Sequence, residues 1–195
     1  MIRIGLTGSI ASGKSEVERI LQDYKIPVFD ADGFVHRIYN DGTAALLLAN
    51  ICPSAIEGPK INRQTLLALI KQNPQLLSKI EAIIHPLVRE AENQFFAEAK
   101  SFHHKLAATN SPLLIETSRD KDMDVVIVVD APAELRLRRA LKRPSMTEDK
   151  FRIISSKQMP AAEKRKHAHY FIENNSSLEE LRIKIIEILN ELQAS

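Results

Sequence analysis

Residues 8–15 read Gly-Ser-Ile-Ala-Ser-Gly-Lys-Ser, a complete GxxxxGK[ST] pattern that ends on Lys14 and Ser15. A triphosphate crowded with negative charge is held best by backbone N–H groups, and glycines such as Gly8 and Gly13 let the chain come that close. Lys14 then supplies a point charge to the β- and γ-phosphates, and the Ser15 hydroxyl is a hard oxygen suited to Mg²⁺. The intervening Ser9, Ile10, Ala11 and Ser12 and the following Glu16 complete the cradle for a nucleoside triphosphate.

Asp30-Ala31-Asp32 closes the second predicted strand, at the edge of an open α/β sheet where ligands bind. Alternate residues of an extended segment face the same way, so both carboxylates can serve one reacting centre. There a carboxylate can take the proton of an attacking hydroxyl during phosphoryl transfer. A plainer role fits equally well, with Asp32 capping a helix that begins near Gly33.

Arg136, Arg139 and Arg143 follow three-and-four spacing on one stripe of a predicted helix over 134–143, with Leu137 and Leu141 on another. Such a stripe is either a clamp for polyphosphate or a solvated basic face. The adjoining segment bracketed by Pro144 and Pro160 reads as a flap able to close over a nucleotide. In His85-Pro86-Leu87-Val88-Arg89, a helix starting at Pro86 makes His85 its N-cap and sets Arg89 one turn on. Both then suit either an acceptor phosphate or ribose, or a structural role. His103-His104 and His167-Ala168-His169 lack a third ligand at metal spacing, and Lys164-Arg165-Lys166 reads as a solvated helix face.

Short apolar runs alternating with longer helical patterns must position these groups, which is the signature of βα units and a parallel sheet. Strands are expected at residues 2–7, 27–30, 105–110, 124–130 and 170–172. The fourth, with Val-Val-Ile-Val-Val at 125–129, is apolar throughout, as a strand covered on both faces should be. The third is the weakest, being neither strongly apolar nor alternating. Between residues 32 and 102 there are only helical patterns, punctuated by Gly42, Pro53, Gly58-Pro59, Asn73-Pro74 and His85-Pro86, which predicts an insert of several short helices. Near the C-terminus Leu178, Leu181, Ile185, Ile188 and Leu192 form one stripe for packing against the sheet.

A chain of 195 residues with 27% charged residues supports one buried α/β core plus an inserted subdomain. A net charge of +2 gives no reason to expect nucleic-acid or membrane partners. Cys52 is the only cysteine, which excludes an intramolecular disulfide and a cysteine-based metal site and favours a reducing compartment. The chain enters a strand at once, with neither a basic n-region nor a long apolar stretch, so the expectation is a cytoplasmic protein without a signal peptide or membrane span.

Taken together, these motifs resemble the dephospho-CoA kinase family. The resemblance runs over nearly the whole chain, through Ile4-Gly5-Leu6-Thr7-Gly8 with the phosphate loop, Val28 to Asp32, His85-Pro86-Leu87-Val88-Arg89, Pro112-Leu113-Leu114-Ile115-Glu116, Val128-Val129-Asp130, Gln158 and Ile172-Glu173-Asn174-Asn175. It implies a P-loop kinase fold of class α/β, a five-stranded parallel sheet flanked by helices with a helical substrate-binding insert and a lid. The nucleotide-binding core would be 1–32, 103–143 and 161–195, the helical CoA-substrate domain 33–102, and the lid 144–160. The implied activity is Mg²⁺-dependent transfer of the ATP γ-phosphoryl group to the ribose 3′-hydroxyl of dephospho-CoA, with a monomer as the favoured state. By matching position, Asp32 is the implied base, Lys14 the phosphate-binding lysine and Ser15 the metal ligand. Arg139 and Arg143 are implied to neutralise the moving phosphoryl group. Thr7, His85, Arg89, Pro112, Leu113 and Leu114 fall near the acceptor, and Asn174 and Asn175 near the adenine end of ATP.

The sequence departs from the family pattern at Ser9, which replaces a usual glycine and would be strained at positive φ. It departs again at Glu16, which replaces a threonine and sets negative charge near bound phosphate, so weaker ATP binding is expected. The stretch 117–123 is also more polar than is usual. Two other functions fit the phosphate loop: a nucleoside or nucleotide kinase of the same architecture, which the acceptor-side motifs oppose, and a non-catalytic nucleotide-binding module, which has no use for Asp32.

Overall fold

The computed structural model describes residues 1–194, so the last residue of the expected 161–195 core segment lies outside them. The chain divides into two units, one formed by Met1–Phe29 with the chain from Phe96 onward, the other by Asp30–Phe95.

In the first unit the apolar N-terminal run forms β1 (Ile2–Gly8), which leads through the glycine-rich loop into α1 (Lys14–Asp23) and then β2 (Val28–Asp30). Later in the chain come β5 (Leu106–Asn110), β6 (Val125–Asp130), α6 (Ala133–Leu141), α7 (Glu148–Lys157), α8 (Ala161–Arg165), β7 (Tyr170–Glu173) and α9 (Leu178–Ala194). The five strands form one sheet in the order β2-β5-β1-β6-β7. β1 pairs parallel with β5 on one side (Ile4↔Ala108) and with β6 on the other (Leu6↔Ile127), and β6 pairs parallel with β7. The strand order therefore reverses at β1, and the glycine-rich loop leaves the sheet at that switch point, where open α/β sheets bind ligands.

All five residues of β5 are buried, although Leu-Ala-Ala-Thr-Asn carries little hydrophobic signal. Ala107 and Ala108 are fully covered, and on a strand closed in on both faces small side chains bury as completely as large ones. β6 carries the continuous apolar run, and Ile127, Val128 and Val129 are fully buried. On α9, Leu181, Ile185, Ile188, Leu189 and Leu192 join Val17, Ile20 and Leu21 of α1 and the strand residues in one core. Burying each such side chain stabilises the fold by about 1.5–3 kcal/mol. Leu178, expected on that stripe, opens the helix and is 55% exposed, while Leu189, outside the expected stripe, is buried.

The second unit holds α2 (Ala31–Ile38), α3 (Thr43–Leu48), α4 (Arg63–Gln72) and most of α5 (Gln75–Ser101). Two expectations fail here. The region contains strands, β3 (Ile56–Glu57) and β4 (Lys60–Ile61), an antiparallel pair turning at Gly58-Pro59 with Gly58 at φ +61°. Two-residue strands are too short to show an alternating pattern. The structure also runs through Pro86 without a break: Gln75–Ser101 is one helix of 27 residues. Pro86 removes one intrahelical hydrogen bond, a local cost of about 3 kcal/mol. Burial of Ile80, Ile84 and Val88 at four-residue intervals on either side of it holds the two halves in register. His85 is therefore a mid-helix residue and caps nothing.

Among the described residues no helix is long and apolar enough to cross a membrane.

Candidate active site

The loop between β1 and α1 is shaped by its glycines and by what lies against them. A Cβ on Gly8 would sit 2.1 Å from the Val129 carbonyl oxygen, so the close approach to β6 admits only glycine. Gly13 caps α1 at φ 105°, and a Cβ there would lie 2.0 Å from Asn174 Nδ2. Asn174 is buried; its side-chain amide donates to the Ser12 carbonyl (2.7 Å) and its backbone N–H to the Asp130 carbonyl (2.7 Å). The structure thus places Asn174 as a brace beneath the loop, with Asn175 exposed beside it.

The strained residue is Ala11 at φ 58°, whereas Ser9 has no positive φ and its replacement of glycine carries no backbone penalty. A left-handed alanine costs about 1–2 kcal/mol and persists only where its surroundings over-determine it. The Ser12 N–H closes a turn onto the Ser9 carbonyl (3.1 Å). α1 then begins at Lys14, the Gly13 carbonyl accepts the Glu16 N–H (2.9 Å), and the helix start places a partial positive charge at the loop. Thr7 Oγ1 and Ser12 Oγ are buried here with no hydrogen-bond partner in the protein.

Lys14 Nζ donates to Asn110 Oδ1 at the end of β5, and Asn110 Nδ2 donates to Glu18 Oε2 (2.7 Å). Asn110 was not among the residues expected from sequence; its only signal is a polar side chain closing a buried strand. Ser15 stands exposed on the first turn of α1. Glu16 pairs with Arg19 at 2.5 Å, which offsets part of the charge it brings to the loop. Both partners of that pair are solvent-exposed, so the offset is weak. Glu16→Thr is therefore expected to tighten ATP binding by about threefold at low ionic strength, the gain shrinking as salt is added. Equal affinities at low salt, measured by calorimetry, would remove this role for Glu16.

The arginine stripe separates into three fates. Arg139 reaches the loop, with Nη1 donating to the Ser12 carbonyl at 3.4 Å. Arg136 turns the other way: Nε donates to the Ala131 carbonyl (2.9 Å), lies 3.6 Å from Asp130 Oδ1 and faces the Phe151 ring. It is a structural residue, neither clamp nor solvated face. Arg143 lies beyond the last helical residue, Leu141, and is exposed. α7 rests against the loop through Phe151, which packs with Ile10, Ala11 and Ala140.

After β5 the chain turns through Pro112, exposed Leu113 and fully buried Leu114 to Glu116. Here the expectation for Lys164-Arg165-Lys166 is corrected: Arg165 and Lys166 are exposed, but Lys164 is fully buried. Its Nζ donates to the Pro112 carbonyl (3.1 Å) and pairs with Glu116 Oε1 (3.0 Å). The acid that neutralises it lies in a distant segment, so no local pattern announces the burial. Lys164→Met strands the Glu116 charge and is expected to cost about 3 kcal/mol of stability in denaturant unfolding, with Glu116→Gln in the same chain recovering much of the loss.

In the second unit, α2 begins at Ala31 with Asp30 at the cap position, and Asp30 makes no side-chain capping bond. Asp32 therefore neither caps a helix at Gly33 nor lies on an extended segment, and the alternation argument for the two carboxylates does not apply. It stands exposed on the first helical turn. His85 and Arg89 are both exposed on α5, one turn apart on the same face. Cys52 is buried, which pushes its thiol above the ordinary range and leaves it protonated and unreactive.

Among the described residues no group of three or more His, Cys, Asp and Glu side chains could hold a metal ion. Mg²⁺ bound with a nucleotide needs only one or two protein oxygens, the phosphates and water supplying the rest, so the Ser15 hydroxyl at the end of the cradle fits that ion.

A family model described as dephospho-CoA kinase matches residues 2–180. A dephospho-CoA kinase of Brucella melitensis is 40% identical over 192 residues, covering 98% of this chain and 96% of its own. The crystal structure of TT1252 from Thermus thermophilus superposes with a TM-score of 0.84 at 33% identity, covering 98% of this chain and 97% of that one. A dephospho-CoA kinase from Campylobacter jejuni shares the fold with a TM-score of 0.75 at 24% identity, covering 97% and 96% of the two chains.

Proposed function

The chain belongs to the dephospho-CoA kinase family, and from that premise we propose that it transfers the γ-phosphoryl group of ATP in line to the ribose 3′-hydroxyl of dephospho-CoA, giving coenzyme A and ADP. The observation that carries this reading is the loop itself, two glycines that admit no Cβ and a lysine held at the mouth of the cradle by Asn110.

In this account the backbone N–H groups of Gly13, Lys14 and Ser15 and the Lys14 ammonium take the phosphates, the Ser12 and Glu16 N–H groups being held by the Ser9 and Gly13 carbonyls, and Lys14 exchanges Asn110 for a phosphate oxygen when ATP binds. Ser15 supplies a hydroxyl ligand to Mg²⁺, an ion that neutralises phosphate charge when bound. Asp32 accepts the proton as the 3′-oxygen forms its bond to phosphorus, the bond to the bridging oxygen breaks, and ADP leaves carrying the electron pair. Arg139 and Arg143 offset the charge spread over the transferring group. Thr7, His85, Arg89 and the turn of Pro112, Leu113 and Leu114 orient the acceptor, and Asn175 borders the adenine while Asn174 keeps its bracing role. The segment 144–160 acts as the lid that keeps water from competing for the phosphoryl group, and 33–102 as the CoA-substrate domain. A protein with a lone buried thiol and a substrate from coenzyme A synthesis belongs in the cytoplasm, and we take it to be a monomer.

A panel of acceptors separates this reading from its alternatives. With Mg-ATP, the panel would contain dephospho-CoA, a nucleoside and a nucleoside monophosphate, with the products weighed by mass spectrometry. Dephospho-CoA alone should gain one phosphoryl group. A heavier nucleoside or nucleotide would point to the related kinase, and no heavier acceptor at all to a binding module.

A further inference from the structure

The root of the lid segment meets the phosphate loop through a contact that the transfer chemistry above does not use. Gln158 follows α7 in extended conformation, and its side-chain carbonyl accepts the Ile10 N–H at 2.7 Å. Ile10 immediately precedes the left-handed Ala11, so this bond fixes the residue before the one strained turn of the loop. The side chains of Ile10 and Ala11 pack at the same place with Phe151 of α7.

The next residue along is held as firmly. The Met159 N–H donates to Glu116 Oε1 at 2.7 Å, and the same oxygen receives the fully buried Lys164, whose Nζ also holds the Pro112 carbonyl. The backbone that carries Gln158 is thus anchored in the interior by a charged pair, and its side chain projects from that anchor onto the loop.

We propose that Gln158 is a positioning residue of the phosphate loop: by taking the Ile10 N–H it holds Ala11 in the conformation from which the following N–H groups converge on ATP, with Glu116 and Lys164 fixing Gln158 in turn. This rests on the reading of the loop as the ATP site. Without the Gln158 carbonyl, the Ile10 N–H loses its acceptor and the strain at Ala11 is no longer opposed. The loss falls on ATP and spares the acceptor, because the bond touches only the loop.

The test uses the full chain with Gln158→Leu and Gln158→Glu. Amide hydrogen exchange at Ile10 is measured without nucleotide, and KM is measured separately for ATP and for dephospho-CoA. In the leucine variant Ile10 should exchange much faster, and the KM for ATP should rise about tenfold, the worth of one lost hydrogen bond, while the KM for dephospho-CoA stays within about twofold. In the glutamate variant the carboxylate still accepts the bond, so Ile10 should remain protected and any weakening of ATP binding should fade with added salt. Unchanged Ile10 exchange in the leucine variant overturns the proposal, as does an unchanged KM for ATP. A parallel rise of both KM values also overturns it, because general loosening would then be the cause. If the wild-type chain binds no Mg-ATP, the ATP reading fails by itself, and Ile10 exchange in the two variants still decides whether Gln158 holds the loop.

Discussion

Lys14→Ala is expected to lower kcat/KM for ATP by about 10²–10³-fold, with ATP affinity and turnover both reduced. The ammonium is the one side-chain cation that the P-loop pattern itself delivers to the β- and γ-phosphates, and its attraction to them grows as charge moves onto the bridging oxygen. Among its partners is Asn110, a neutral amide at the end of β5. Lys14→Arg should not restore activity, since a planar fork does not reproduce a compact point charge. Steady-state rates together with calorimetric titration of Mg-ATP measure both parts of the effect. Turnover within a few-fold of wild type in Lys14→Ala would mean that the loop does not hold the reacting phosphates.

The second large effect is the reverse in character. Asp32→Asn should depress kcat by about 10²–10⁴-fold, the usual range for a general base, while ATP affinity stays within about twofold. Asparagine keeps the size of the side chain and removes its negative charge, and with it the ability to take a proton. Asp32 lies on the first turn of α2, where an anionic side chain is favoured by the helix dipole, so the substitution should lower stability rather than raise it. A stopped-flow or coupled assay gives kcat, and thermal unfolding confirms that the variant is folded. Near-normal turnover would remove Asp32 from the chemistry.

The contrast between what was legible in the chain and what was not is physical. The phosphate loop could be read because its function needs contiguous residues: Gly8, Gly13, Lys14 and Ser15 act through spacing alone. The five strands were equally readable, even the weak β5, because parallel strands come as short runs between helical patterns. Residues whose role depends on a partner far along the chain were hidden. Lys164 looks like one member of a basic run until Glu116 is placed beside it, and Asn110 acquires its meaning from Lys14.

Local rules also misled where tertiary packing outweighed them. His85-Pro86 carries a strong helix-start signal, yet burial on both sides of the proline keeps Gln75–Ser101 continuous. The strain expected at Ser9 falls on Ala11, since the loop places its left-handed residue two positions later. The short spacing of Asp30 and Asp32 suggests an extended pair, but the helix begins between them and sends the two carboxylates off different kinds of backbone.

The central claim is that ATP is consumed on one particular alcohol, and labelled phosphate tests it most directly. The chain would be incubated with Mg²⁺ and ATP labelled in the γ-phosphoryl group, in parallel with dephospho-CoA and with its 3′-deoxyribose counterpart. The account predicts label in coenzyme A from the first mixture and in no acceptor from the second. Label transferred to the 3′-deoxy compound, or released only as inorganic phosphate with dephospho-CoA present, would contradict it.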